Sequence, residues 1–289
     1  MNTNKSRIYI LIAAALIIAV GVAVARTVLV INYYNVDEGL YAKGSTGITA
    51  MRVVFGAALV LVCVLAFVLL RPVKYKKLPE ANHAVVFTGA MCGFMFISSA
   101  ILGGWYFIPD LFKNAFSKSF QYTAISSSHT THVVLFFSFC ATLLFSLLSS
   151  LYYFWCASTE TKLNKLNYRL FSFMPILWGI AYLVFMYFKN DTVINSQERA
   201  ILQLSVITVM LCATAEARFH FGIARFRVYA AVCLCAVMSV IVACVPNFLL
   251  TAFWMIPFSA ETVFCVLQVA LAAYMLSRLI SIVRSEPEE

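Results

Sequence analysis

Five polar side chains lie in or beside stretches that are otherwise apolar: Arg26, Gln203, Glu216, Glu261 and Gln268. Ionisable groups at membrane depth are costly and concentrate where a protein does something with them. Thr208, Cys212 and Glu216 recur every four residues and so share one helical face, and Ser205 extends the stripe. A stripe of this kind, ending in a carboxylate, has two readings. It lines a cavity or proton path, or it is a helix–helix contact in which Glu216 pairs with a neighbouring arginine.

Glu261 and Gln268 are seven residues apart and face one way, and Gln203 would face them. With Arg199 and Arg26 they would form an outward-open polar pocket. Glu198, just before that segment, reads equally well as a solvated charge. Arg26 lies about 27 Å along a helix from Ile8, at roughly 1.5 Å per residue. At that depth it either snorkels to the outer boundary as an anchor or pairs with Asp110, Glu198 or Glu261.

Other chemistry is thinly represented. His129 and His132 form an H-x-x-H pair, but a metal site needs three or four ligands, and His83 and His220 belong to the opposite face. There is no G-x-S-x-G, no phosphate-binding glycine loop and no zinc-protease motif. The reading is no enzyme, no cofactor and no metal. The nine cysteines all fall in or at the ends of apolar blocks and read as small packing residues, without a disulfide framework. Cys233 and Cys235, two apart, face different sides of a helix.

The elements that must position these groups follow from composition. Of 289 residues, 63% are hydrophobic and 11% charged, too few charges for the surface of a soluble domain this size. Eight apolar blocks succeed one another, at about 8–31, 51–70, 84–107, 133–156, 170–188, 200–217, 228–249 and 260–283. Each is near the roughly 20 residues a helix needs to cross hydrocarbon. Only a helix satisfies its backbone within one segment, so the fold class is all-α, a single transmembrane bundle of eight spans.

The intervening gaps alternate in charge. The N-terminal end, the second, fourth and sixth gaps and the C-terminal end carry 14 of the 21 Lys and Arg residues, and the opposite side carries 7. The positive-inside rule makes the richer side cytoplasmic, with both termini on it. That bias accounts for the net charge of +9, which in a soluble chain would suggest nucleic acid, and no nucleic-acid binding is expected. The Arg218–Arg227 segment interleaves basic residues with Phe. It serves topology first and anionic head groups as a by-product.

Lys5 and Arg7 before an apolar run, with Ala23-Val24-Ala25 after it, imitate a signal peptide, but the run is too long and apolarity resumes after Arg26; an uncleaved span is expected. Asp110 to Thr131 reads as the longest loop, ending in the polar breaker cluster Ser126–Thr131. Leu250 to Ser259 reads as an interfacial aromatic segment. Trp105–Pro109 and Trp254–Pro257 sit at matching places of a four-plus-four arrangement, though Trp and Pro are common at membrane edges anyway. Gly89 and Gly93 form a G-x-x-x-G, with Ala100 and Gly104 further along, and predict close helix packing within the bundle. Asn190-Asp191-Thr192 is a glycosylation triplet, meaningful only in a secretory pathway.

Asp37-Glu38-Gly39-Leu40, the Leu202–Leu204 stretch and Ala215-Glu216-Ala217-Arg218 before a basic turn resemble a group of uncharacterised bacterial eight-span membrane proteins. The likeness is one of layout over most of the chain. It implies a bacterial inner-membrane location and no particular activity. Two function classes stand side by side. One is binding or transport of a small solute or lipid through a pocket between helices. The other is a non-transporting partner or sensor subunit of a membrane complex.

Overall fold

The computed structural model describes residues 2–35, 40–41, 46–70, 73–75, 82–116, 127–158, 169–189, 197–253, 255 and 258–284. Its helices are α1 (Asn2–Tyr33), α2 (Thr46–Leu69), α3 (His83–Phe116), α4 (Ser127–Ala157), α5 (Met174–Phe188), α6 (Gln197–His220), α7 (Phe226–Ala252) and α8 (Ala260–Arg284). Each overlaps one of the eight apolar blocks. Among the described residues, these eight are long and apolar enough to cross a membrane, as in a multi-pass membrane protein.

The helices are not equivalent. From α3 to α8 each packs on the next, and α8 returns to α3, so these six close a ring. The pair α1 and α2 lies outside it, against α7. In the most apolar stretch of α7, 72% of residues are buried, and in that of α8, 67%; in α2 the figure is 22%. Helices α7 and α8 are therefore the structural centre, and α2 turns most of its surface outward. The middle of the ring is filled. Phe96 and Trp178 meet edge to face at 5.4 Å, Tyr182 and Phe264 lie 4.6 Å apart, and Phe139 joins them at 6.3 Å from Phe264.

The start of α1 and the end of α8 come to one end of the bundle. Arg284 Nε donates to Tyr9 Oη at 3.4 Å, and Arg7 Nη1 to the Leu69 carbonyl at 3.0 Å. A short antiparallel clip, β3 (Lys74–Tyr75) with β4 (Ala224–Arg225), ties the α2–α3 connection to the α6–α7 turn there. A second clip, β1 (Tyr34–Asn35) with β2 (Leu40–Tyr41), joins α1 to α2 at the other end. The α6–α7 turn is a Schellman motif. Gly222 sits at φ 71°, its N–H bonds the Phe219 carbonyl, and the Ile223 N–H bonds the Arg218 carbonyl.

Two loop expectations are corrected. Helix α3 does not stop before Asp110 but runs through Pro109 to Phe116, and α4 already begins at Ser127. Ring contacts hold the extension: Phe112 and Phe116 meet Phe136 at 5.8 and 5.5 Å. Ser and Thr suit a helix's first turn as well as a loop, which is why the cluster misleads. Likewise α7 continues to Ala252 rather than ending at 249. Phe258, on the connection to α8, folds back onto Tyr106 and Phe107 at 6.0 and 6.2 Å. Trp254, Ile256 and Pro257 lie outside the described residues, and with them one half of the Trp–Pro echo, as does the Asn190–Thr192 triplet.

The G-x-x-x-G lies in the α3–α4 contact. A Cβ on Gly93 would come within 2.9 Å of the Phe154 ring, and one on Gly89 within 3.4 Å of the Tyr153 carbonyl. Gly56 on α2 has nothing within 4 Å of that position. Gly93→Val is therefore expected to lower stability by about 1–3 kcal/mol through forced displacement of Phe154. Gly56→Val should leave the melting temperature in detergent nearly unchanged. Equal melting temperatures for the two variants would refute the packing assignment.

Candidate functional site

The expected pocket residues separate into three places. Arg26 occupies the first. It is fully buried, so the snorkelling anchor is not what forms. Its Nη1 donates to the carbonyls of Val242 and Ala243, each at 2.6 Å, and Nη2 donates to Asn247 Oδ1 at 3.0 Å. The reason lies on α7. Pro246 stands four residues after Val242 inside the helix and has no N–H to give. The Val242 carbonyl loses its intrahelical donor, and in an apolar surround an unmet carbonyl is expensive. The guanidinium replaces that donor and serves the next carbonyl as well. The usable signal was a mid-helix proline whose freed carbonyl needs a donor, in a chain that also carries an intramembrane arginine.

Glu216 occupies the second, towards the end of the bundle where α1 starts and α8 ends. It is 2% exposed. Tyr274 Oη donates to its Oε1 at 2.6 Å, and Arg278 Nε lies 3.9 Å from the same oxygen. Tyr152, on α4, stands beside the carboxyl. The Tyr152 hydroxyl in turn lies 3.1 Å from His220 Nε2. Of the two readings of the stripe, the contact with a neighbouring arginine is the arrangement seen. Ser205, Thr208 and Cys212 are buried along the same face. Tyr152, Tyr274 and Arg278 were not singled out from sequence, because each sits in a long apolar run as a plausible edge residue.

The third place is the outer half of α8. Gln268 is fully buried and accepts from Ser205 Oγ at 2.8 Å, while its Nε2 has no hydrogen-bond partner among the described residues. Glu261, only half-buried, forms a 2.7 Å ion pair with Lys189 and accepts from Ser259 Oγ. Gln203 is half-buried on α6. The single outward-open pocket of Arg26, Arg199, Gln203, Glu261 and Gln268 is thus not assembled: Gln268 is tied to α6, Glu261 to the end of α5 and Arg199 to the Met186 carbonyl. The Glu198 and His129 side chains lie outside the described set. Among the described residues no group of three or more His, Cys, Asp and Glu is placed to hold a metal. All nine cysteines are free thiols. Cys233 points to the Met275 carbonyl on α8 and Cys235 to the Leu59 carbonyl on α2, opposite sides of α7.

A cavity among the described residues lies elsewhere. A groove of about 720 Å³ runs between α3, α7 and α8, lined by Met95, Ser99, Leu102, Phe248, Val263 and Leu267 among others. Its volume is in the range of small-molecule sites. Leu102 and Phe248 on its walls are exposed on the flank of the bundle. Its polar groups are hydroxyls, with Thr251 and Thr262 lying 3.4 Å apart. Ser259 Oγ links Thr262 to Glu261, and so to Lys189. None of the five expected pocket residues lines the groove.

No family model matches the chain, and no curated protein or solved structure matches it.

The Arg26 assignment predicts a coupling. Arg26→Met should cost about 3 kcal/mol of stability, because it strips charged hydrogen bonds from buried carbonyls. In a Pro246→Ala background, where residue 246 regains its N–H, the cost of the same change should fall by about 1 kcal/mol. Denaturation of the four proteins of this cycle in detergent measures it. Strict additivity would show that the proline and the arginine are unrelated.

Proposed function

We propose that the chain binds a lipid-like amphiphile from the bilayer in the groove between α3, α7 and α8, as a multi-pass protein of a bacterial inner membrane with both termini cytoplasmic. The groove is the observation that supports this reading. Its lining is almost wholly apolar and it opens on the flank of helices apolar enough to face lipid. A hydrocarbon chain gains contact there without leaving an apolar medium. The hydroxyls of Thr251 and Thr262, continued by Ser259 and the Lys189–Glu261 pair, give a head group hydrogen-bonding partners at one end. A polar solute is favoured less, because Arg26, Glu216 and Gln268 are buried among side chains and backbone rather than presented to a cavity.

Membrane orientation follows from charge. The end with Arg7, Arg225, Arg227 and Arg284 is the basic one, and the positive-inside rule assigns it to the cytoplasm. Movement of the bound amphiphile between leaflets is the transport form of this reading.

Two measurements test the proposal. Val266→Trp and Ser99→Leu each fill the groove and are expected to weaken binding of a pyrene-labelled glycerolipid to the purified protein at least about tenfold, or 1.4 kcal/mol. Unchanged affinity in both folded variants refutes the site. Separately, Lys113→Cys should react with an impermeant maleimide on intact cells, and Arg225→Cys only after permeabilisation. The reverse pattern, or labelling from the same side, overturns the orientation.

A further inference from the structure

The groove leaves the Glu216 cluster without a role, and the cluster is more elaborate than a helix contact requires. A lone carboxylate in the bundle would be excluded by its desolvation cost, and one arginine at hydrogen-bonding distance would be enough to hold it. Here the nearest approach of Arg278 Nε is 3.9 Å, and the short contact, 2.6 Å, is from the Tyr274 hydroxyl. The surround is aromatic and comes from every side. Helix α8 brings Tyr274 and Arg278. Helix α4 brings Tyr152 and Tyr153, with Cys156 behind them, and Tyr153 stands edge-on to Tyr274 at 5.0 Å. Helix α7 brings Tyr229 and Cys233. Helix α3 brings Cys92, and Cys212 and His220 lie on the carboxylate's own helix. The Tyr229 hydroxyl is buried and has no hydrogen-bond partner among the described residues, so the cage holds an uncommitted donor.

The cluster also has a way in. His220 is the last residue of α6, half-buried, next to the exposed turn of Phe221, Gly222 and Ile223. From its Nε2 the line runs to Tyr152 Oη at 3.1 Å, and Tyr152 stands beside the carboxyl. A tyrosine hydroxyl between an imidazole and a carboxylate can accept on one side while donating on the other.

We propose that Glu216 is a reversible proton-binding site, loaded from the basic end of the bundle through His220 and Tyr152. In the transfer, a proton picked up from solvent by His220 leaves Nε2 for Tyr152 Oη as the Tyr152 hydroxyl proton passes to Glu216. Tyr152 ends unchanged, His220 ends neutral and Glu216 ends as a neutral acid. The net proton gained by Glu216 comes from hydronium in solvent at the exposed turn, which loads His220 again for each transfer. Arg278 and Tyr274 stabilise the charged form, burial stabilises the neutral one, and a site that must release its proton again needs both. This inference does not depend on the groove: its readout involves no lipid ligand.

Infrared difference spectroscopy on the full chain in phosphatidylcholine vesicles, stepped between about pH 4 and 9, tests it. A protonated-carboxyl C=O band should appear reversibly, disappear in Glu216→Gln, and shift in frequency in Tyr274→Phe. After a pH jump, Tyr152→Phe should reach the same final amplitude at least about tenfold more slowly. Absence of a titrating carboxyl band in the wild type means that Glu216 keeps one protonation state across this range and overturns the proposal. A Tyr152→Phe rate equal to wild type overturns the route. Should Glu216→Gln fail to fold, the Tyr274→Phe frequency shift still assigns the band, and a band insensitive to it refutes the assignment to Glu216.

Discussion

Hydrocarbon supplies neither donors nor acceptors, so each carbonyl that a helix fails to satisfy must be met by another part of the chain. The bundle meets this demand repeatedly with arginine. Arg7 and Arg227 donate to the Leu69 and Leu70 carbonyls where α2 ends, and Arg199 donates to the Met186 carbonyl near the end of α5. The last carbonyls of a helix have no intrahelical partner and carry the negative end of its dipole, so a guanidinium suits them on both counts. Arg26 does the same at a helix interior, where Pro246 has created what amounts to a second terminus. This interaction adds a buried polar tie between α1 and α7, the most buried helix, to the packing that holds the outer α1–α2 pair against the ring.

The same constraint divides α8 lengthwise. Gln268, Tyr274 and Arg278 are buried against the ring and carry its polar contacts, with Ser205 and Glu216 of α6 as partners. Val263, Val266 and Leu267 line the groove. Polar groups bonded to one another inside the bundle leave the flank apolar, and an apolar flank with a groove in it is a surface that lipid solvates. Had Glu216 or Arg26 opened into the groove, an acyl chain would be opposed by an uncompensated charge. The two arrangements depend on each other through a single helix.

Much of the fold was legible because the solutions are few. A run of about 20 apolar residues has one stable backbone conformation in lipid, and eight such runs gave eight helices in the right places. The opposite facing of Cys233 and Cys235 and the close packing at Gly93 followed from helical geometry alone. What escaped were relations between distant residues. Nothing near Arg26 announces Pro246, because the need it answers arises 216 positions away from it. Glu216 was recognisable as a buried carboxylate, but Arg278 resembled an ordinary end-of-span cation. The α3 extension escaped because its support, Phe136, belongs to the next helix. The groove was invisible in principle: residues such as Met95, Phe248 and Leu267 are unremarkable apolar positions on three separate helices.

The filled centre of the ring constrains any activity more than the polar residues do. Phe96, Trp178, Tyr182 and Phe264 meet there, between the Glu216 cluster on one side and the Lys189–Glu261 pair on the other. Trp178 and Tyr182 are buried, and neither the indole N–H nor the phenol has a hydrogen-bond partner among the described residues, so the plug offers no relay of its own. A proton taken up at Glu216 therefore returns the way it came unless these rings move. An amphiphile on the flank bypasses the plug altogether. Phe96 and Phe264 stand next in sequence to the groove residues Met95 and Val263, so displacement of the groove wall and displacement of the plug are motions of the same two helices. Coupling between the two sites, where it exists, must pass through α3 and α8 at that level, because rigid packing of close-fitting rings transmits strain while fluid side chains would absorb it.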